Sequence, residues 1–253
     1  MAGAMNDSRL IRSLAGYAFW AAILLLILTV AWIVSLALAP VPGAEASPGE
    51  RIQFLADNEG WHIANFAIVL PMGFLHVPVW IGLAALIWTR RPVMAVLSVA
   101  FGLLYTVFAV LGYWTQLTTV RGIVDLAEQD MQAATTLFEL MAFEGELWSY
   151  SYGVVVLGYA VWGLAALHVC AGMADSADRL TRTTGILFGA SGLAGIAGAI
   201  GLVVRNDLIE LGVLFSGILF FPALIGGAAL LWLASSGRSR VESGEANLGS
   251  TSR

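Results

Sequence analysis

The chain has 253 residues, of which 59% are hydrophobic and only 11% are charged, with a mean hydropathy of +0.84 and a net charge of −5. A soluble domain of this size needs far more surface charge, so the composition excludes one. The sequence contains no lysine, which excludes a retinal Schiff base, and it has neither a basic patch for nucleic acid nor a phosphate-binding glycine loop.

The apolar residues are grouped in six runs, each long enough to cross a bilayer as a helix, which takes about 20 residues. In chain order the runs cover residues 15–39, 62–88, 93–114, 146–171, 183–204 and 211–233. They predict an all-α polytopic bundle over residues 1–234, followed by a disordered tail at 235–253 that is rich in Ser, Gly, Glu and Arg. The first run is longer than the core of a signal peptide, so we expect it to be an uncleaved anchor.

The twelve arginines divide unequally between the two alternating sets of connections. Only Arg51, Arg121 and Arg205 fall on one set, and the other nine fall on the opposite set. Because basic residues are retained on the cytoplasmic side, this split predicts that both termini are cytoplasmic. The lysine-free composition, rich in Ala and Gly, is typical of a high-GC bacterium, so we expect the bundle in a bacterial plasma (inner) membrane.

Two long connections fall on the arginine-poor, outer side. Residues 40–61 contain Pro40, Pro42 and Pro48, and we expect an irregular loop there. Residues 115–145 repeat apolar residues, among them Ile123 and Phe138, at helical spacing opposite a polar face. This pattern predicts an amphipathic outer helix between spans three and four, lying on the membrane surface or extending span four outward.

Two spans have unusual composition. Span two contains Pro71 and Pro78, which kink helices and indicate a pocket or a moving part. Span five, residues 183–204, has glycine at six positions, and small residues let helix backbones approach closely in lipid. We expect membrane lipids as partners, and this glycine-rich span is the candidate contact for a homo-oligomer or for another subunit of a membrane complex.

The polar residues at the outer ends of the spans form the candidate binding site. Glu146 enters an apolar run, and an ionisable residue within a span is a functional candidate by default. Ser149 and Tyr150 share its helix face, and other polar residues stand at similar depth. The predicted binding residues are Glu146, Ser149, Tyr150, His62, Tyr113, Gln116, Arg205 and Asp207. They form either an outward-facing pocket or a ring of interfacial side chains.

The histidines and the single serine motif give little catalytic signal. His62 and His76 are 14 residues apart, as in helices that bind two haems, so haem b on His76 or His168 is an alternative to the expectation of no cofactor. No histidine pair has metal-ligand spacing, so we expect no metal site. Gly189-Ala190-Ser191-Gly192 matches the serine motif of the rhomboid proteases, but no histidine follows it to act as a base.

The layout resembles a loose group of small six-span bacterial membrane proteins of unknown function. The shared features are a short arginine-bearing start, a long outer segment between spans three and four, and a glycine-rich fifth span. The primary hypothesis is a bundle whose outward polar and aromatic pocket binds or transports a lipid or apolar small molecule. The alternatives are an intramembrane enzyme with Glu146 as acid or base, assisted by His62, and a structural subunit of a membrane complex.

Overall fold

A computed structural model describes residues 2–43, 45–143, 145 and 148–237; for residues 2–8 and 207–210 it describes the backbone alone. Every regular element in these residues is a helix, and six helices are long and apolar enough to span a membrane. The prediction of an all-α, six-span polytopic bundle is therefore confirmed. The predicted tail from residue 238 onward lies outside the described residues.

The described residues form eight helices. In chain order these are α1 (Ala2–Leu38), α2 (Pro48–Asp57), α3 (Glu59–Ile87), α4 (Pro92–Ala127), α5 (Met131–Met141), α6 (Tyr150–Met173), α7 (Arg179–Val204) and α8 (Asp207–Ser235). The six long ones are the membrane-spanning candidates, and α2 and α5 are short. Both short helices lie at one end of the bundle, which we call the cap end; the opposite end, with Arg90, Arg91, Arg179 and Arg182, is the arginine end.

The six long helices form a closed ring. Each packs mainly against the next long helix along the chain, and α8 packs against α1. The interior is filled by large side chains: Trp80, Trp162, Phe188 and Phe220 have ring centroids 5.0 to 6.2 Å apart. Edge-to-face and tilted aromatic pairs of this kind add packing energy beyond their buried area. Pro71 and Pro78 lie inside an α3 that remains helical throughout.

The expectation of an irregular loop at 40–61 was wrong for its second half, because α2 forms there. Pro48 occupies the first turn of α2, where its missing N–H costs nothing. Ser47 and Glu50 form a reciprocal capping box, with the Ser47 N–H donating to Glu50 Oε2 at 2.7 Å. That hydrogen bond lowers the pKa of the Glu50 carboxyl below its usual value.

The amphipathic segment at 115–145 is present but divided into two helices. Its first part continues α4 to Ala127, so it extends span three and not span four. Asp130 then caps α5 by accepting a hydrogen bond from the Ala133 N–H at 3.0 Å. The apolar faces of α2, α5 and the end of α4 bury a small core of their own around Ile52, Val120 and Phe138.

The glycines of α7 pack against α6 and α8, and we call this contact the glycine seam. A Cβ placed on Gly192 would lie 2.6 Å from Gly163 O of α6, and one on Gly198 would lie 2.6 Å from Val213 N of α8. The backbones therefore touch directly, as small residues in membrane helices allow. The glycine face of α7 is thus used inside this bundle, so an oligomer contact through this span would have to use another face.

Candidate functional site

A cluster of polar and aromatic side chains, all buried except the partly buried Phe143, lies at the cap end, between α3 and α4. It consists of His62, Phe66, Tyr113, Gln116 and Phe143, and we call it the cap-end cluster. His62 is on the first turn of α3, and its ring Nε2 donates a hydrogen bond to Gln116 O of α4 at 3.0 Å. In a neutral ring this leaves Nδ1 as an acceptor.

Aromatic rings form the walls of the cluster. Phe66 and Phe143 are stacked with their centroids 5.9 Å apart and their planes 13° apart. Tyr113 lies 6.3 Å from each of these rings, and His62 lies 4.9 Å from Phe66. Phe143 comes from the segment between α5 and α6, so three parts of the chain meet here. Flat rings of this kind suit a flat or apolar molecule.

Gln116 is the most unusual residue of the cluster. It is fully buried, and neither its side-chain nitrogen nor its oxygen has a hydrogen-bond partner among the described residues. Asn65, one turn beyond His62 on α3, also has a buried Oδ1 without a partner there. A buried polar group that finds no partner costs about 1–3 kcal/mol, so these amides are the groups that most need one.

A narrow cleft lies directly beside the cluster. It is lined by Leu55, Glu59, His62, Val120, Arg121 and Val124. Its free volume is about 10 Å³, enough for a single water molecule. Arg121 Nε and Glu59 Oε1 form an exposed ion pair at 2.7 Å between α4 and α3, next to His62.

The structure brings three of the predicted site residues together: His62, Tyr113 and Gln116. Ser149 is buried nearby as the N-cap of α6, where its hydroxyl accepts from the Tyr152 N–H at 3.4 Å. Tyr150 begins α6 and is 44% exposed.

The other predicted residues are elsewhere or are not described. Arg205 ends α7 in the left-handed conformation at φ 55°, is exposed, and makes no described contact with the cluster. Asp207 begins α8, and its side chain is not described. Glu146 lies outside the described residues, so its role as acid, base or binding group stays a prediction.

Sequence reasoning missed Phe66 and Phe143. Phe66 follows His62 by four residues, one helical turn, so both were bound to share a face of α3. Phe143 lies in a segment between helices, where periodicity gives no direction. Its contact with Tyr113 and Phe66 depends on how α5 folds back on α4, which hydropathy does not encode.

Each of the other two histidines donates to a carbonyl of its own helix and stacks on a phenylalanine, at a different place in the bundle. His76 Nδ1 donates to Met72 O at 2.7 Å, and its ring stacks on Phe220 at 5.5 Å and 22°. His168 Nδ1 donates to Leu164 O at 2.6 Å, and its ring stacks on Phe101 at 5.5 Å and 25°. Within the described part of the chain, no three His, Cys, Asp or Glu residues are grouped to hold a metal ion.

An apolar groove of about 440 Å³ lies between α1 and α3 in the membrane-spanning part. Its lining residues are Leu14, Tyr17, Phe74, Val77, Pro78 and Ile81. Tyr17 and Phe74 are 70% and 55% exposed, so this surface faces the lipid chains. Apart from the hydroxyl of Tyr17, the side chains that line the groove are apolar, unlike those of the cap-end cluster.

Comparison of the chain with models of protein families, with curated proteins and with solved structures gives no match.

Proposed function

We propose that this multi-pass membrane protein binds an apolar small molecule or lipid through its polar head group at the cap-end cluster. The observation that carries the proposal is the fully buried Gln116 side chain, whose donor and acceptor both have no hydrogen-bond partner among the described residues. A ligand head group that offers both an acceptor and a donor would satisfy the amide and recover its desolvation cost.

The chemistry of the neighbouring residues supports the same class of ligand. The Nδ1 of a neutral His62 can accept a hydrogen bond, while Phe66 and Phe143 offer apolar rings. The ligand therefore combines an apolar or planar body with a head group such as an amide or a hydroxyl. Ligand sites commonly pair an apolar lining with a few placed polar groups.

The cap end is proposed to face the outside of a bacterial plasma membrane. The support is the arginine distribution: Arg51, Arg121 and Arg205 are at the cap end, whereas the other six arginines in the described helices and turns are at or near the arginine end. Glu45→Cys and Ala177→Cys, each in a Cys170→Ala background, test it with an impermeant maleimide on intact cells. Both sites are exposed. We expect labelling of residue 45 alone. Labelling of residue 177 alone would show that the protein has the opposite orientation.

Native mass spectrometry of the purified protein tests the ligand proposal. We expect wild-type protein to retain a co-purified small molecule that Gln116→Leu loses, because leucine fills the space but cannot bond the head group. Thr115→Val is the matched control: Thr115 is the adjacent buried residue, and its hydroxyl is already bonded to Leu111 O of its own helix at 2.8 Å. It should keep the ligand.

Two outcomes would contradict the proposal. The first is that wild type and both variants carry the same bound molecules, which would show that Gln116 does not contact them. The second is that wild-type protein carries no added mass and that a total lipid extract fails to restore one. In that case the buried amide would be a structural group.

A further inference from the structure

The apolar groove between α1 and α3 faces the arginine-end leaflet of the membrane. Two of its lining residues, Phe74 and Ile81, are two helical turns apart on α3. Trp88 follows Ile81 by another seven residues at the end of α3, so it lies on the same side of this helix, and it is 51% exposed. Because tryptophan is enriched at the level of the lipid head groups, Trp88 indicates where this side of α3 meets them.

The depth of the groove corresponds to one leaflet. Phe74 lies 14 residues before Trp88, which is about 21 Å at 1.5 Å per residue. Half of a hydrocarbon core is about 15 Å thick, so the groove extends from near the centre of the bilayer towards the head groups. Its volume of about 440 Å³ is open to the lipid phase. The groove therefore lies where an acyl chain of the arginine-end leaflet would lie.

Two arginines lie level with each other at the head-group end of the same helix pair. Gly82 of α3 packs directly against Ala18 of α1, since a Cβ on Gly82 would overlap the Ala18 Cβ. The two helices are antiparallel, so residues at equal distances before Ala18 and after Gly82 have the same depth. Arg9 is nine residues before Ala18, Arg90 is eight residues after Gly82, and both are exposed.

This end of the helix pair keeps a net positive charge. Arg91 forms an ion pair with Asp175 at 2.9 Å. Arg90 also acts electrostatically on Asp175, but neither Arg90 nor Arg9 forms a hydrogen bond or an ion pair with any residue in the described part of the chain. One carboxylate therefore faces two arginines of the α3–α4 turn, and Arg9 adds a third positive charge.

We propose that the groove binds one acyl chain of an anionic phospholipid whose head group lies between Arg9 and Arg90. The apolar lining accepts the chain, and the two guanidinium groups select a head group with a net negative charge. A zwitterionic phospholipid has the same chains, but its head group brings a positive charge to the arginines. This site is at the opposite end of the bundle from the cap-end cluster and does not depend on the function proposed there.

Native mass spectrometry of lipid-stripped protein tests the proposal. Dioleoylphosphatidylglycerol is the probe, and dioleoylphosphatidylcholine, which has the same chains and no net charge, is the control lipid. We expect the protein to prefer the anionic lipid. Arg90→Gln should weaken binding of the anionic lipid roughly fivefold, the effect of one basic residue near an anionic surface, and should leave binding of phosphatidylcholine unchanged.

Arg179→Gln is the matched control for the charge. Arg179 is exposed at the same end of the bundle, but it begins α7, which is not adjacent to α1 or α3 in the ring. This variant should bind the anionic lipid as wild type does. If Arg90→Gln and Arg179→Gln weaken the binding equally, the preference comes from the overall charge of this end, and the proposal is overturned. It is also overturned if wild type shows no preference for the anionic lipid.

Two further variants locate the bound lipid. Val77 lines the groove, so Val77→Trp should fill it and weaken the binding of both lipids. Gln116→Leu should keep the preference for the anionic lipid, which separates this site from the cap-end cluster. Unchanged binding to Val77→Trp would show that the groove holds no acyl chain. Loss of the preference in Gln116→Leu would place the anionic lipid at the cap end, and either result contradicts the proposal.

Discussion

The glycine seam and the α3–α4 side of the ring differ in what they bury: the seam buries glycines, and the α3–α4 side buries polar side chains. Along α6, α7 and α8, glycines bring backbone directly against backbone, with Gly163 and Gly192 as the closest pair. Between α3 and α4, the chain encloses side chains with hydrogen-bonding capacity left over, above all Gln116. The seam gains stability from close contact and buries one unpartnered hydroxyl, that of Ser216, whereas on the α3–α4 side both polar side-chain atoms of Gln116 have no partner among the described residues. We infer that the first is a scaffold and the second a site.

The largest expected effect comes from disrupting the seam. Gly192→Leu should destabilise the protein by about 3 kcal/mol or more, because its Cβ alone would lie 2.6 Å from the carbonyl oxygen of Gly163, which is backbone and cannot move aside. Thermal unfolding in detergent measures the loss. Gly217→Leu is the control, since a Cβ on Gly217 of α8 meets nothing within 4 Å. Equal losses for the two variants would show that the seam is not a special contact.

A smaller loss of stability is expected from removing the N-cap of α7, the central helix of the seam. Asp178 caps α7 by accepting from the Thr181 N–H at 2.9 Å, so Asp178→Ala should cost about 1 kcal/mol. The backbone and hydroxyl hydrogen bonds from Thr181 lower the pKa of the Asp178 carboxyl. Its contribution is therefore complete above the unfolded value of about 3.9 and is lost as the pH falls through the lower folded value.

Asp178→Asn separates the charge from the cap. Asparagine still accepts the capping hydrogen bond but carries no charge, so at neutral pH we expect it to recover most, but not all, of the stability that Asp178→Ala loses. The difference between wild type and this variant should shrink when thermal unfolding is repeated at pH values below the usual carboxyl range. A difference that stays constant at all pH values would mean that Asp178 does not titrate with folding.

The smallest losses of stability are expected when a hydroxyl group that hydrogen-bonds one helix to another is removed. Ser191 Oγ donates to Ser216 O of α8 at 2.5 Å, and Thr106 Oγ1 donates to Gly73 O of α3 at 3.1 Å. Such interhelical bonds average about 0.6 kcal/mol in membrane proteins. The loss of stability should be larger for Ser191→Ala than for Thr106→Val, because the Thr106 hydroxyl also donates to Gly102 O of its own helix. Ser98→Ala, which removes a bond within one helix, should be close to neutral.

The sequence predicts the spans well and the packing poorly. Hydropathy places all six long helices, since crossing a bilayer requires a long apolar run whatever its neighbours are. Helix α2 was missed because Pro48 was interpreted as a loop signal, although Ser47 and Glu50 form a capping box around it. The break at 128–130 was missed because the apolar spacing continues across it.

The composition of the cap-end cluster was predicted in part, and its role in binding stays a prediction. His62, Tyr113 and Gln116 were found because they are polar residues at the same depth, which chain position alone gives. The contact between His76 and Tyr105 was not predicted, because Tyr105 is an ordinary residue of an apolar run. This contact depends on the order and register of the helices around the ring, which hydropathy does not encode.

The stability of Gln116→Leu in lipid-stripped protein tests the central claim most directly. If the cap-end cluster keeps an unpaired amide for a ligand, the variant should be more stable than wild type by about 1–3 kcal/mol, since it removes an unsatisfied buried group. Addition of a total lipid extract should then stabilise wild type and not the variant. A variant that is less stable than stripped wild type would contradict the account, because Gln116 would then be a satisfied structural residue.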